Sequence, residues 1–137
     1  MQKGQISIDL LFTLLAVVII TISLNNLTQY TYTTHDNINI QTQLDLENER
    51  ITNLITQTNM IEDLNYKIIT QLKKINYLNE KNKSETTYPA PLIQGNELTL
   101  RIEKKGEIIQ STKTFSKKEN TRINFVEEEV KIVITNE

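Results

Sequence analysis

The feature that most constrains this chain is the run from Ile6 to Leu24, which holds one charge, Asp9. Between Leu10 and Leu24 the polar side chains are Thr13, Thr21 and Ser23 alone. As a helix rising about 1.5 Å per residue, the run is about 30 Å long, the thickness of a bilayer's hydrocarbon core. Nothing later in the chain is comparably apolar. A carboxylate at the centre of a bilayer costs about 3 kcal/mol on insertion scales, so Asp9 needs a reason to be there.

Three readings fit the run. A secretory signal peptide has the short basic start, but small residues should follow at a cleavage site. Ser23-Leu24-Asn25-Asn26-Leu27 matches that poorly. A plain membrane anchor places Asp9 near the helix start, where the macrodipole favours a carboxylate and the side chain can snorkel to the interface. The third reading rests on Lys3-Gly4-Gln5-Ile6-Ser7-Ile8-Asp9. This stretch resembles the class III signal peptide of archaeal type IV pilin-like proteins: a short basic leader ending in Gly, then Gln-x-Ser-x-acid, then an apolar helix. The likeness lies in the conjunction of Gly4, Gln5, Ser7 and Asp9 behind Lys3, with Asp standing where Glu is more familiar. It covers about the first 25 residues of the 137.

The resemblance implies that a prepilin peptidase cuts between Gly4 and Gln5 and leaves the apolar run in place. The new α-amino group on Gln5, with an ordinary pKa of about 7.7–8.0, is largely protonated near neutrality. Asp9 lies four residues on, along the same helix face. It can pair with its own Gln5 amine or with that of the next subunit. An unpaired carboxylate in a packed core is penalised, so the pairing would set subunit register more than affinity. The implied partners are other pilin subunits, an assembly ATPase, a membrane platform protein and the membrane itself. The implied location is the membrane for the precursor and a cell-surface filament after assembly. The alternative is a single-pass, membrane-anchored binding or interaction protein that is exported and does not polymerise.

The remaining residues offer little chemistry. Net charge is −2 with acids and bases interspersed, which advertises no face for nucleic acid. There is no cysteine for a disulfide framework or thiolate site. His35 stands without a ligand cluster, and Glu127-Glu128-Glu129 lacks the spaced oxygens of a Ca²⁺ loop, so it reads as a solvated turn. No Gly-rich phosphate loop or nucleophile–base set is present, and neither an enzyme nor a cofactor is expected.

Read in order, the chain divides into a leader (1–4), an apolar membrane or filament-core helix (5–26), a softened stretch (27–37), an amphipathic helix (38–82), a linker (83–96) and a sheet (97–136). Thr28, Thr31, Thr33 and Thr34 around Tyr30 and Tyr32 weaken helix propensity, so 27–37 predicts one bent helix or two hinged ones. Ile51, Leu54, Thr58, Ile61, Asn65, Ile68, Leu72, Ile75 and Asn79 step by three and four, with Lys67 placed to pair with Glu62 and Asp63. Pro89 and Pro91 fix the linker. Alternation at Leu98–Ile102 and Val130–Ile134, with Lys104-Lys105-Gly106 as a tight turn, predicts four antiparallel strands covering the helix stripe. The expected class is α+β. Asn82-Lys83-Ser84 and Asn26-Leu27-Thr28 are sequons for N-glycosylation, Asn82 the better placed of the two.

Overall fold

The computed structural model describes residues 2–61, 65–79 and 81–136, with side chains from Ile8 onward. One helix, α1 (Gln2–Thr58), is followed by β1 (Lys67–Gln71), β2 (Ile75–Leu78), β3 (Ser84–Thr87), β4 (Ala90–Gln94), β5 (Glu97–Lys104), β6 (Glu107–Thr114), β7 (Thr121–Val126) and β8 (Lys131–Asn136). The class is α+β. The chain divides into two units, Met1–Asp36 and Asn37–Glu137. Residues 27–37 are helical throughout, because tenths of a kcal/mol per β-branched residue do not end a helix.

In the second unit the rear of α1 supplies Ile40, Leu44, Ile51 and Ile55, all fully buried. They meet Leu72, Ile75, Leu98, Leu100, Ile102, Phe115, Ile132 and Ile134. Burying each such side chain contributes about 1.5–3 kcal/mol, so this seam is the source of the head's stability. The strands form three antiparallel sheets, β1-β8-β7, β2-β3 and β4-β5-β6. The two-stranded β2–β3 is too small to stand alone, and α1 bonds to a strand of each sheet.

Helix side chains also close the sheet edges. β1, β2 and β6 are edge strands. On one flank, Gln43 Nε2 donates to Asn76 O and Gln43 Oε1 accepts from Asn76 N, both at 2.9 Å. Arg50 Nη2 donates to Gln71 O at 2.8 Å and Nη1 to Thr70 Oγ1 at 2.9 Å. On the other flank, Gln41 Nε2 reaches Gln110 O at 3.1 Å, and Asn48 Nδ2 reaches Ser111 O at 2.8 Å and Leu98 O at 3.0 Å. Backbone groups on an open edge invite pairing with other chains; here α1 occupies several of them.

Three expectations need correction. The amphipathic helix does not run to 82 but ends at Thr58. Thr58 Oγ1 takes the Ile55 carbonyl, Tyr66 Oη donates to Thr58 O, and the Asn59 carboxamide bonds Ser116 O and Lys118 N. Local side chains thus satisfy the helix end. Downstream, Ile68, Thr70 and Leu72 also fit a period of two, and the β-branched Ile68-Ile69-Thr70 prefers a strand. Leu72 and Ile75 are buried as the stripe required, but from the β1–β2 connection and from β2. The expected Glu62–Lys67 and Asp63–Lys67 pairs lie outside the described residues.

Second, the linker 83–96 is structured: β3 pairs with β2, and β4 with β5. Pro91 sits in β4 at a sheet edge, where a missing N–H is tolerated. Third, the sheet is not one four-stranded meander. The hairpins β5–β6 and β7–β8 form, but β4 joins the first and β1 joins the second. The tight turn expected at Lys104-Lys105-Gly106 forms, but Lys104 still pairs with Glu107 as the end of β5; the loop is Lys105 at φ 53° and Gly106 at φ 78°, which match a type I′ turn. Glu127–Glu129 forms one exposed turn of 3₁₀ helix, and Glu129 is ion-paired at 2.7 Å to Lys131, which holds its carboxyl below the usual range.

Candidate functional site: the exposed apolar half of the first helix

From Leu10 to Leu24 the helix is apolar on every face. From Ile8 to Leu24 its large hydrophobic side chains are 45% to 69% exposed, with none turned into a core. An all-apolar helix is stable only where something apolar surrounds it. The stretch is long and apolar enough to cross a membrane.

Its hydroxyls fit that surrounding. Thr13 Oγ1 donates to Asp9 O, Thr21 to Val17 O and Ser23 Oγ to Ile19 O, each at 2.8 Å and four residues back. Thr28, Thr31 and Thr33 repeat the pattern at 2.8, 2.9 and 3.0 Å. Each hydroxyl proton is therefore paired inside the helix and asks nothing of lipid or of a neighbouring chain. In the sequence Thr13, Thr21 and Ser23 stand as the polar side chains of the run; their return to the i−4 carbonyl makes them compatible with it.

Asp9 is the exception. Its side chain is exposed, and among the described residues no donor reaches its carboxylate. The backbone of Gly4 and Gln5 is helical, so Gln5 and Asp9 share a face by their spacing of four. The side chains of Lys3, Gln5 and Ser7 lie outside the described residues. Tyr30 and Tyr32, 71% and 57% exposed, follow the apolar run at the position where aromatic rings prefer a membrane interface. His35 is exposed. Among the described residues no group of His, Cys, Asp or Glu is arranged to hold a metal.

Farther along α1, in the second unit, a polar cluster is built from Glu47 and Arg50. Arg50 Nη2 and Nε grip Glu47 Oε1 and Oε2 at 2.7 and 2.9 Å, and Lys73 N donates to Glu47 Oε1 at 2.9 Å. The carboxylate raises the Arg50 pKa, chiefly by these hydrogen bonds. Every strong group there faces a partner, which marks a structural latch, not a reactive site. Sequence reasoning missed it; the signal was Gln43, Glu47 and Arg50 at steps of four and three beside Ile40, Leu44 and Ile51.

Comparison with known families, with curated proteins and with solved structures finds no match.

Proposed function

We propose that this chain is a structural subunit, a pilin or minor pilin, of an archaeal type IV pilus-like surface filament. In this reading a prepilin peptidase cuts between Gly4 and Gln5. The helix from Gln5 onward first lies in the membrane and is then drawn by an assembly ATPase and platform protein into a fibre core. The head, Asn37–Glu137, is displayed outside. The observation that carries the reading is the front of α1: bare apolar side chains from Ile8 to Leu24, hydroxyls at Thr13, Thr21 and Ser23 bonded to their own helix, and a carboxylate at Asp9 that no described residue answers. Leaving lipid for a bundle of like helices gains little apolar energy. The Asp9 charge against a Gln5 amine, with lateral packing, is then what selects the docked position.

The test is N-terminal sequencing of the protein recovered from sheared surface fibres. A first residue of Gln5 is expected. A chain beginning at Met1, or beyond residue 24, overturns the reading. Correctly cut protein that is found in membranes but never in fibres favours an anchored, non-polymerising interaction protein.

A further inference from the structure

We infer that Asn82 is a site of covalent N-linked glycan attachment and that the chain's other sequon, at Asn26, is not; the inference rests on the exported head of the reading above. Attachment forms a bond between the carboxamide nitrogen and the anomeric carbon of a lipid-linked glycosyl phosphate or diphosphate. The sugar–phosphate C–O bond breaks, the lipid phosphate leaves, and the carboxamide nitrogen gives up one proton. Nothing is oxidised or reduced. The transferring enzyme must reach the Asn carboxamide and the hydroxyl two residues on together, so both must be unengaged and able to face one catalyst.

The two sequons differ on each count. Asn26-Leu27-Thr28 lies within α1. Helical residues two apart point about 200° from each other, so Asn26 and Thr28 cannot face one catalyst. The Thr28 hydroxyl is also committed to Leu24 O at 2.8 Å. Asn82-Lys83-Ser84 instead spans the tip of the β2–β3 hairpin, where Leu78 pairs with Ser84, and all three residues are exposed. Asn82 sits at φ 54°, a left-handed turn position that Asn tolerates well. Among the described residues nothing bonds its side chain. Asn79 does that work: its Oδ1 accepts from Lys81 N and Lys83 N at 2.9 and 3.0 Å, and its Nδ2 donates to Glu85 Oε1 at 2.6 Å. Asn79 N and Lys83 O close the loop at 2.9 Å. The hairpin is thus held by one asparagine and presents another at its tip, beside a Ser84 hydroxyl that no other described residue engages.

The experiment is intact-mass and glycopeptide analysis of the full chain purified from cells that make it, with Asn82→Gln, Ser84→Ala and Asn26→Gln compared. The wild-type chain is expected to be heavier than its polypeptide by at least one sugar residue. The excess should vanish in Asn82→Gln and in Ser84→Ala, and persist in Asn26→Gln. Ser84→Ala leaves Asn82 in its turn, so loss in both variants is not a folding effect. A wild-type chain that starts at Gln5, has its head open to added protease outside the cell and carries no sugar overturns the glycan alone. So does an excess that survives Asn82→Gln or disappears with Asn26→Gln. A head shielded from protease inside the cell, with no sugar, overturns both the glycan and the exported head.

Discussion

The front and rear of α1 use similar residues, Ile, Leu, Thr and Asn, to opposite ends. In front, short hydroxyls fold back on the helix at Thr13, Thr21, Ser23, Thr28, Thr31 and Thr33, and the apolar side chains are left bare all round. Behind Asn37, longer polar side chains at Gln41, Gln43, Glu47, Asn48 and Arg50 reach sideways to the backbone or side chains of other segments, and the apolar residues gather on one buried face. The reach of the polar group sets the difference. A hydroxyl finds its acceptor one turn back, so between Leu10 and Leu24 the helix bonds its own polar side chains. A carboxamide or guanidinium finds its acceptor on another element, so the rear is stable only with its sheets. One half is self-contained toward a greasy surrounding; the other is completed by its own chain.

That contrast breaks most readily at an apolar residue. Leu44 is fully buried, and Leu44→Ala should destabilise the head by about 2–5 kcal/mol through lost burial and the cavity left behind. Leu15, 52% exposed, should be nearly silent in the same assay: Leu15→Ala within about 0.5 kcal/mol. Urea unfolding of both full-length variants in detergent, followed by near-ultraviolet circular dichroism, measures this. Equal shifts would mean that the halves are not energetically distinct.

Asn48 comes next. It is fully buried, and Asn48→Ala would strip Ser111 O and Leu98 O of a donor, at a cost of about 2 kcal/mol. Asn48→Asp should be worse, because it sets an acceptor against two carbonyls. Asn26→Ala, at an exposed position, should leave the unfolding midpoint unchanged.

How much of this was legible follows from the same physics. The apolar run, the tight turn at Lys105-Gly106 and the strands β5 to β8 were readable because period and turn chemistry are local. The stretch from Ile61 to Asn79 was misread because Ile68, Leu72 and Ile75 satisfy a helical stripe and a strand–turn–strand alike. β-Branching at Ile68-Ile69-Thr70 was the local sign that decided it. The partition into three sheets was not legible, since it depends on which edges Gln41, Gln43 and Arg50 occupy, a long-range matter. Of the candidate site, Asp9 stood out by its charge. The return of each hydroxyl to its own helix needs the helix itself.

At Asp9 the comparison becomes one of assembly. Asp9→Ala should still lose Met1 to Gly4, yet its share in sheared fibres should fall at least tenfold, which corresponds to about 1.4 kcal/mol of docking preference. Asp9→Glu should incorporate at near the wild-type level. Quantitative mass spectrometry of fibre and membrane fractions reads both. Wild-type levels of Asp9→Ala in fibres would remove the carboxylate from the register.

The smallest effect sharpens the contrast between two exposed acids. Glu85, on β3, accepts from Asn79 Nδ2 at 2.6 Å and from Tyr77 Oη at 2.9 Å, and these donors hold its pKa below the usual carboxylate range, Asn79 first. A carboxylate whose pKa is depressed on folding stabilises the fold above its unfolded pKa, and that contribution is lost as pH falls through the folded value. The stability gap between the wild type and Glu85→Gln should therefore narrow as pH drops from neutrality to about 3. The Tyr77 pKa is raised, chiefly by its bond to Glu85, so the phenol's share persists below its ordinary pKa of 10.0 and fades as pH rises through the folded value. Tyr77→Phe should remove that alkaline limb and spare most of the acid one, because Asn79 still serves Glu85. Unfolding midpoints across pH measure both limbs, and a gap that does not change with pH would show that Glu85 gains nothing from its donors. The head thus supplies its own donors to an exposed acid, whereas no described residue supplies one to Asp9.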